Sequence, residues 1–286
     1  MKKTAGLLAV DIDGTLITDH GEITSQVYDA LERTVARDWE VVIASGRTYY
    51  AARSIVEKLP FVRYAVTSNG ASILHLPEMD VVYCEVLSPD TVAEAVRIMR
   101  EHGAVPALYN SRVEAQTVFY DTIEGACDLF TWYVGRDPRF ILVDDSLAYT
   151  EGILQIGTIE AREVIFALKE ELAVLGVTVM TLPFESTHFG GKNQNYWFLQ
   201  IVGKNAWKNI ALRRLAAMLE IPPGAFVAVG DNYNDADMIA GADIGVAMGN
   251  APDEIKELAE VVVASNNCSG LAQVVEDIIL SGDRFS

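Results

Sequence analysis

The chain is 286 residues long with a formal net charge of −18. It can fill one large domain or two modest ones, and its acidity argues against nucleic acid or an anionic membrane as its main partner. Half of its residues are apolar, no stretch is biased enough to suggest disorder, and three widely spaced cysteines (Cys84, Cys127, Cys268) fit reduced thiols rather than a disulfide framework or a zinc site.

The apolar run that begins at Ala5 is cut by Asp11 after six residues, short of the roughly 7–15 that form a signal-peptide core. No stretch approaches the ~20 apolar residues that cross a bilayer. A soluble, cytoplasmic protein is expected. Residues 7–10 read as a buried strand, and Val27, Ala30, Leu31 and Val35 mark one face of a helix. A strand over 41–44, a helix over 50–59 and a strand over 62–67 follow. Strands alternating with helices at this spacing predict a parallel sheet covered on both faces.

The middle of the chain reads differently. Ser88-Pro89 starts a helix with a capping hydroxyl and a proline at the first position, and Gly103 stops it. A second long helix is expected over 159–175, ending at Gly176, with strands over 113–120, 140–143, 153–157, 177–182 and 196–202. This pattern predicts an α+β module with an antiparallel sheet. The last third returns to the first rhythm: a helix over 206–219, then strands over 225–229, 244–247 and 261–263. The fold expected is a discontinuous α/β core, 1–83 plus 202–286, carrying an inserted module of 84–201. The core is a Rossmann-like, doubly wound parallel sheet.

Asp11-Ile12-Asp13-Gly14-Thr15 follows the first strand, so its carboxylates stand at the edge where open α/β sheets hold their ligands. One aspartate can attack while the next serves as general acid and base, and both can give hard oxygen to Mg²⁺. Ala44-Ser45-Gly46-Arg47 closes the second strand. There the hydroxyl of Ser45 and the backbone at Gly46 can surround phosphate oxygens, and Arg47 can touch phosphate or pair with a surface carboxylate. Ser68-Asn69-Gly70-Ala71 reads as a turn after the third strand, where Asn69 can line the crevice. The segment from Asp231 to Asp237 holds three aspartates and two asparagines, a composition that an oxygen-rich metal site needs. Asp231 is placed to complete a magnesium site with Asp11 and Asp13, Asn234 can offer its amide to phosphate, and Asp235 can orient a cation. That cation is Lys208, with Lys204 the competing candidate four residues away. None of the four histidines is expected to act in catalysis.

In this order the segments resemble the haloacid dehalogenase superfamily of aspartate-nucleophile phosphatases. The whole chain is similar to its Cof-type branch, which carries an α/β cap of the C2B kind between the second and third motifs. Ala247-Met248-Gly249-Asn250-Ala251 matches a loop of that branch. The resemblance implies that Asp11 forms an aspartyl-phosphate and that Asp13 protonates the leaving alcohol and then activates water. It implies Mg²⁺ held by the Asp11 carboxylate, the Asp13 main-chain carbonyl and Asp231. Ser45, Gly46, Lys208 and Asn234 would bind phosphate, with Asp235 behind Lys208. One departure is Asn209 after Lys208, where the branch usually has glycine. The substrate implied is a small phosphorylated metabolite such as a sugar phosphate. A sugar phosphomutase and a silent phospholigand sensor are the alternatives, and specificity is expected near His188-Phe189-Gly190-Gly191.

Overall fold

The computed structural model describes residues 4–113, 115–121, 126–183 and 195–281. In chain order the elements begin with β1 (Gly6–Val10), α1 (Ser25–Ala36), β2 (Trp39–Ala44), α2 (Tyr49–Val56), β3 (Tyr64–Thr67), β4 (Ser72–His75) and β5 (Asp80–Cys84). Next come α3 (Pro89–Glu101), β6 (Ala107–Asn110), β7 (Val118–Tyr120), α4 (Asp128–Val134), β8 (Phe140–Leu142), β9 (Ile153–Ala161), α5 (Arg162–Leu172), β10 (Thr178–Pro183) and β11 (Tyr196–Val202). The chain continues with α6 (Lys208–Met218), β12 (Phe226–Gly230), α7 (Ala236–Gly241), β13 (Ile244–Ala247), α8 (Asp253–Lys256), β14 (Val261–Val262) and α9 (Gly270–Val274). They form two compact units, Met1–Tyr83 with Ala206–Ser286, and Cys84–Asn205.

The first unit is built on an eight-stranded sheet of order β14-β13-β12-β1-β2-β3-β4-β5. Pairing is parallel from β14 through β3. β1, β2, β12 and β13 are buried at every residue, which explains the continuous apolar runs of β1, β12, β13 and residues 41–44; Glu40 of β2 is buried against Arg63. Leu7, Ala9, Val42, Ala44 and Phe226 pack on one face with Ala211, Leu212 and Leu215 of α6. α1 packs on β2 and α9. Thr24 fixes where α1 begins, its hydroxyl accepting the Val27 N–H, and that start aims Val27, Ala30 and Leu31 inward. β1 has β2 on one side and β12, distant in sequence, on the other. Such a reversal of strand order opens a crevice at the carboxyl ends.

The sheet differs from an all-parallel expectation at one edge. β4 returns antiparallel to β3, and β5 closes the edge beyond it. Neither strand is a buried apolar run throughout: β4 holds Ser72 and His75 around Ile73-Leu74, and β5 begins with exposed Asp80 and Val81.

The second unit carries a six-stranded sheet of order β10-β11-β9-β6-β7-β8. All its pairs are antiparallel except β7 with β8. The two-residue period of the strands divides its core. Leu108, Ile156, Leu199 and Ile201 pack with α3 and α5, while Ala107, Tyr109 and Ile159 pack with Leu129, Phe130 and Val134 of α4.

Three sequence expectations here need correction. The helix expected from residue 159 begins at Arg162, because Ile159, Glu160 and Ala161 continue the β9 ladder opposite Phe198, Trp197 and Tyr196. The strand expected over 113–120 is confined to β7: the Asn110 side chain accepts the N–H groups of Arg112 and Thr117, a turn that competes with strand pairing. β6 and α4 had no counterpart in the sequence reading. Residues 188–191 lie outside the described residues.

Candidate active site

Asp11 is the first residue beyond β1, and its N–H still donates to Val229 of β12. The chain then turns tightly, with the Leu16 and Ile17 amides both donating to the Ile12 carbonyl. Gly14 has φ +77°, and a Cβ there would lie 2.2 Å from Oδ2 of Asp231. Only glycine lets that carboxylate lie against the turn. The Thr15 hydroxyl donates to Asp231 Oδ1 at 3.1 Å.

Lys208 begins α6 and is 1% exposed. Its ammonium donates to Asp11 Oδ1 at 2.7 Å and to Asp235 Oδ1 at 2.5 Å. The other oxygen of Asp235 accepts the N–H groups of Asp231 and Asn232, each at 3.0 Å. Asp235 is thus spent on holding the lysine and its own loop. Lys204 is exposed; its carbonyl accepts the Thr178 hydroxyl.

The loop after β2 is pinned by the turn after β3. Asn69 donates its N–H to the Ser45 carbonyl, and Ser68 donates to that of Arg47. Ser68 and Asn69 both have positive φ, +50° and +54°, strain that the surrounding contacts must sustain. A Cβ at Gly46 would lie 2.8 Å from Asn69 Oδ1 and 3.2 Å from Asn234 Nδ2, and Asn234 donates to that same Asn69 oxygen at 3.4 Å. Ser45 is buried, and its hydroxyl accepts the Arg47 N–H. Gly70, at φ +99°, lets the turn press on the backbone of Trp207, the residue before Lys208.

Asp13 is different. Its side chain is 56% exposed and accepts two bonds from Arg47, Nε to Oδ2 at 2.7 Å and Nη2 to Oδ1 at 2.5 Å. Of the two partners open to Arg47 in the sequence, it takes the carboxylate.

Electrostatically this is a crowded pocket. Burial, then the neighbouring Asp235, pushes the Asp11 carboxyl well above its usual range, against the pull of Lys208. Burial and Asp235 likewise push Asp231 up to about 7. Burial works against the charge of Lys208, but Asp11 and Asp235 outweigh it and hold the ammonium above its ordinary value. Asp11, Asp231 and Asp235 bring ligand oxygens within 4.8 Å of one another. Three carboxylates and one ammonium leave two negative charges in a buried space, a balance that a divalent cation restores. The donors are all hard oxygens, the set suited to Mg²⁺, so these residues fit the ion. Asp13 contributes no side-chain oxygen to this cluster.

Residues 8–275 match the model of the haloacid dehalogenase-like hydrolases. The chain belongs to that family. The hydrolase is 28% identical to "Putative phosphatase YxeH" of Bacillus subtilis, over 96% of this chain and 98% of the relative. It is 24% identical to "5-amino-6-(5-phospho-D-ribitylamino)uracil phosphatase YitU" of the same organism, over 95% and 96%. Among solved structures, a haloacid dehalogenase-like hydrolase from Bacteroides thetaiotaomicron superposes with a TM-score of 0.78 at 23% identity, over 96% of this chain and all of the other. The hydrolase is a phosphatase. Among its described residues no helix is long and apolar enough to cross a membrane.

Two polar residues of the site had no role in the sequence reading: Thr15 and Asn250. Each was quoted within a motif, but what each one bonds depends on loops far apart in the chain. Asn250, for example, donates to the Gly14 carbonyl and to Asp231.

Proposed function

We propose that this phosphatase hydrolyses a small phosphomonoester with Mg²⁺, through an aspartyl-phosphate on Asp11. The observation that carries the reading is the buried ammonium of Lys208 shared between Asp11 and Asp235. It holds one oxygen of Asp11 and keeps a positive charge where phosphoryl oxygens would lie. The other oxygen attacks phosphorus as the bond to the leaving alcohol breaks, and protonated Asp13 gives that alcohol its proton. Water then attacks phosphorus, Asp13 takes its proton, and Asp11 leaves as carboxylate with release of inorganic phosphate. Ser45, the Gly46 backbone, Lys208 and Asn234 bind the phosphoryl oxygens, and Asp235 positions Lys208.

The Asp11 carboxylate, the Asp13 main-chain carbonyl and Asp231 would hold the ion. When bound, Mg²⁺ neutralises charge on the transferring phosphoryl group. Residues 84–201 act as the cap that confines the substrate, and the protein works in the cytoplasm, where its three free thiols stay reduced.

Hydrolysis is favoured over phosphomutase chemistry by the arginines of the second unit. Arg97, Arg100 and Arg139 pair with carboxylates, and Arg136 and Arg162 lie over aromatic rings, so these five are engaged within their own unit. The test is a screen of small phosphorylated metabolites with Mg²⁺, read as phosphate release. Sugar phosphates and related monoesters are expected to turn over, EDTA to silence the enzyme and Mg²⁺ to restore it. Activity indifferent to chelation would sink the metal assignment.

The raised pKa of Asp231 adds a pH dependence. A carboxyl whose folded value is about 7 favours its neutral form, so its contribution to stability is held at low pH and lost as pH rises through that value. Mg²⁺ must displace the proton. Its affinity should fall as pH drops below about 7, approaching tenfold per unit. Calorimetric titration between about pH 5 and pH 8 checks this; a flat affinity would remove Asp231 from the site.

A further inference from the structure

We propose that Asn250 is a positioning residue for Asp231, and that Asn266 in turn holds Asn250. The inference rests on the Mg²⁺ reading above. Asn250 lies in the loop after β13, which two main-chain bonds fix in place: Met248 donates to the Gly230 carbonyl and Gly249 to that of Ala264. A Cβ at Gly249 would lie 2.8 Å from the Val263 carbonyl oxygen, so the loop lies directly against the neighbouring chain.

Every polar atom of the Asn250 amide has a partner. Its oxygen accepts the Asn266 N–H at 3.0 Å. That main-chain donor decides which end of the amide is which, turning the nitrogen the other way. The nitrogen donates to the Gly14 carbonyl at 2.9 Å and to Asp231 Oδ2 at 3.2 Å. Thr15 already donates to Asp231 Oδ1. Each oxygen of Asp231 therefore receives one hydrogen bond from the protein and keeps lone-pair capacity for a cation. One donor on each oxygen sets the plane of the carboxylate.

Asn266 closes the circuit. It is 4% exposed, and its amide nitrogen donates to the Ile17 carbonyl and to Asp19 Oδ1, each at 3.0 Å. The loop that carries Asp11 and Thr15 is thereby tied through Asn266 and Asn250 to the loop that carries Asp231. Donors behind a ligating carboxylate set its orientation, and their loss typically weakens metal binding about 10–100-fold. Asn250 itself is exposed, so removing its side chain costs the fold little. Metal affinity and stability can therefore be separated.

The experiment is calorimetric titration of the full chain with Mg²⁺, paired with the melting temperature of the metal-free protein. Asn250→Ala should weaken Mg²⁺ binding by about 10–100-fold with a melting temperature close to wild type. Asn250→Ser, which keeps one donor, should fall between the two, and Asn266→Ala should weaken binding in the same direction. Asp231→Asn is the control. If wild type binds Mg²⁺, Asp231→Asn loses it and Asn250→Ala binds within twofold of wild type, the role given to Asn250 is overturned while the metal site stands. If wild type binds no Mg²⁺, or Asp231→Asn binds it equally well, the metal reading fails and the role of Asn250 goes with it.

Discussion

Replacing Asp11 with asparagine is expected to abolish turnover and, in the metal-free protein, to raise the melting temperature. The loss of activity follows from the nucleophilic role proposed for Asp11: a carboxamide oxygen cannot take its place, and removing a residue that forms a covalent intermediate costs on the order of 10⁴-fold or more. The gain in stability follows from the pocket. Without a cation, Asp11 is buried among Asp235, Lys208 and Asp231, and its carboxyl is held well above the usual range. A folded pKa above the unfolded one means that the contribution of this group is most favourable in acid and is lost as pH rises through the folded value. Asparagine keeps the shape and can still accept the Lys208 hydrogen bond, without adding a third anion. The advantage of the variant should therefore widen as pH rises above the usual carboxylate range. Scanning calorimetry in EDTA reads the stability, and an aryl phosphate with Mg²⁺ reads the activity. Near-normal turnover by Asp11→Asn would remove Asp11 from its role.

Lys208→Met should damage both properties. Its ammonium is the shared partner of two buried carboxylates, and breaking such a cluster by removing one partner leaves uncompensated charge costing about 3–5 kcal/mol. It also removes the positive charge proposed for the phosphoryl oxygens, a loss on the order of 10²–10³ in kcat/KM by analogy with lost oxyanion donors. Lys204→Met gives the contrast. Lys204 is exposed, and its substitution should stay within about 0.5 kcal/mol of wild type with unchanged kcat/KM. Equal losses from the two variants would refute the choice of Lys208.

The elements nearest the site were the most legible in the sequence. β1, β2, β12 and β13 are buried on both faces, so β1, β12, β13 and the 41–44 part of β2 leave unbroken apolar runs, and the polar residues that end those runs stand out. β4 and β5 were not legible, because β4 offers only Ile73-Leu74 between Ser72 and His75, and β5 is an edge strand that begins with exposed Asp80 and Val81. Ile159 illustrates a deeper limit. It stands just before α5 with no proline or glycine between them, and only its pairing with Phe198 of β11 makes it a strand residue. The choice between Lys208 and Lys204 was of the same kind. Spacing offers two lysines one helical turn apart, whereas burial separates them. Thr15 and Asn250 were quoted in motifs without roles, since a hydrogen bond spanning 216 residues, such as that from Thr15 to Asp231, leaves no local trace. The ion pair of Asp13 with Arg47 was one of two open outcomes and needed the geometry.

The strand order has a consequence for synthesis. β1 is paired on one side by β2, which follows it closely, and on the other by β12, which leaves the ribosome more than two hundred residues later. At roughly 5–20 residues per second that interval is roughly 10–40 s. Throughout it β1 presents a free edge, and such edges invite pairing with other chains. Asp11 has no lysine beside it for nearly as long, since the two are 197 positions apart. The residues between include a unit whose strands pair among themselves. Its early folding shortens the loop that must close, and with it the entropy that β12 must overcome on docking against β1.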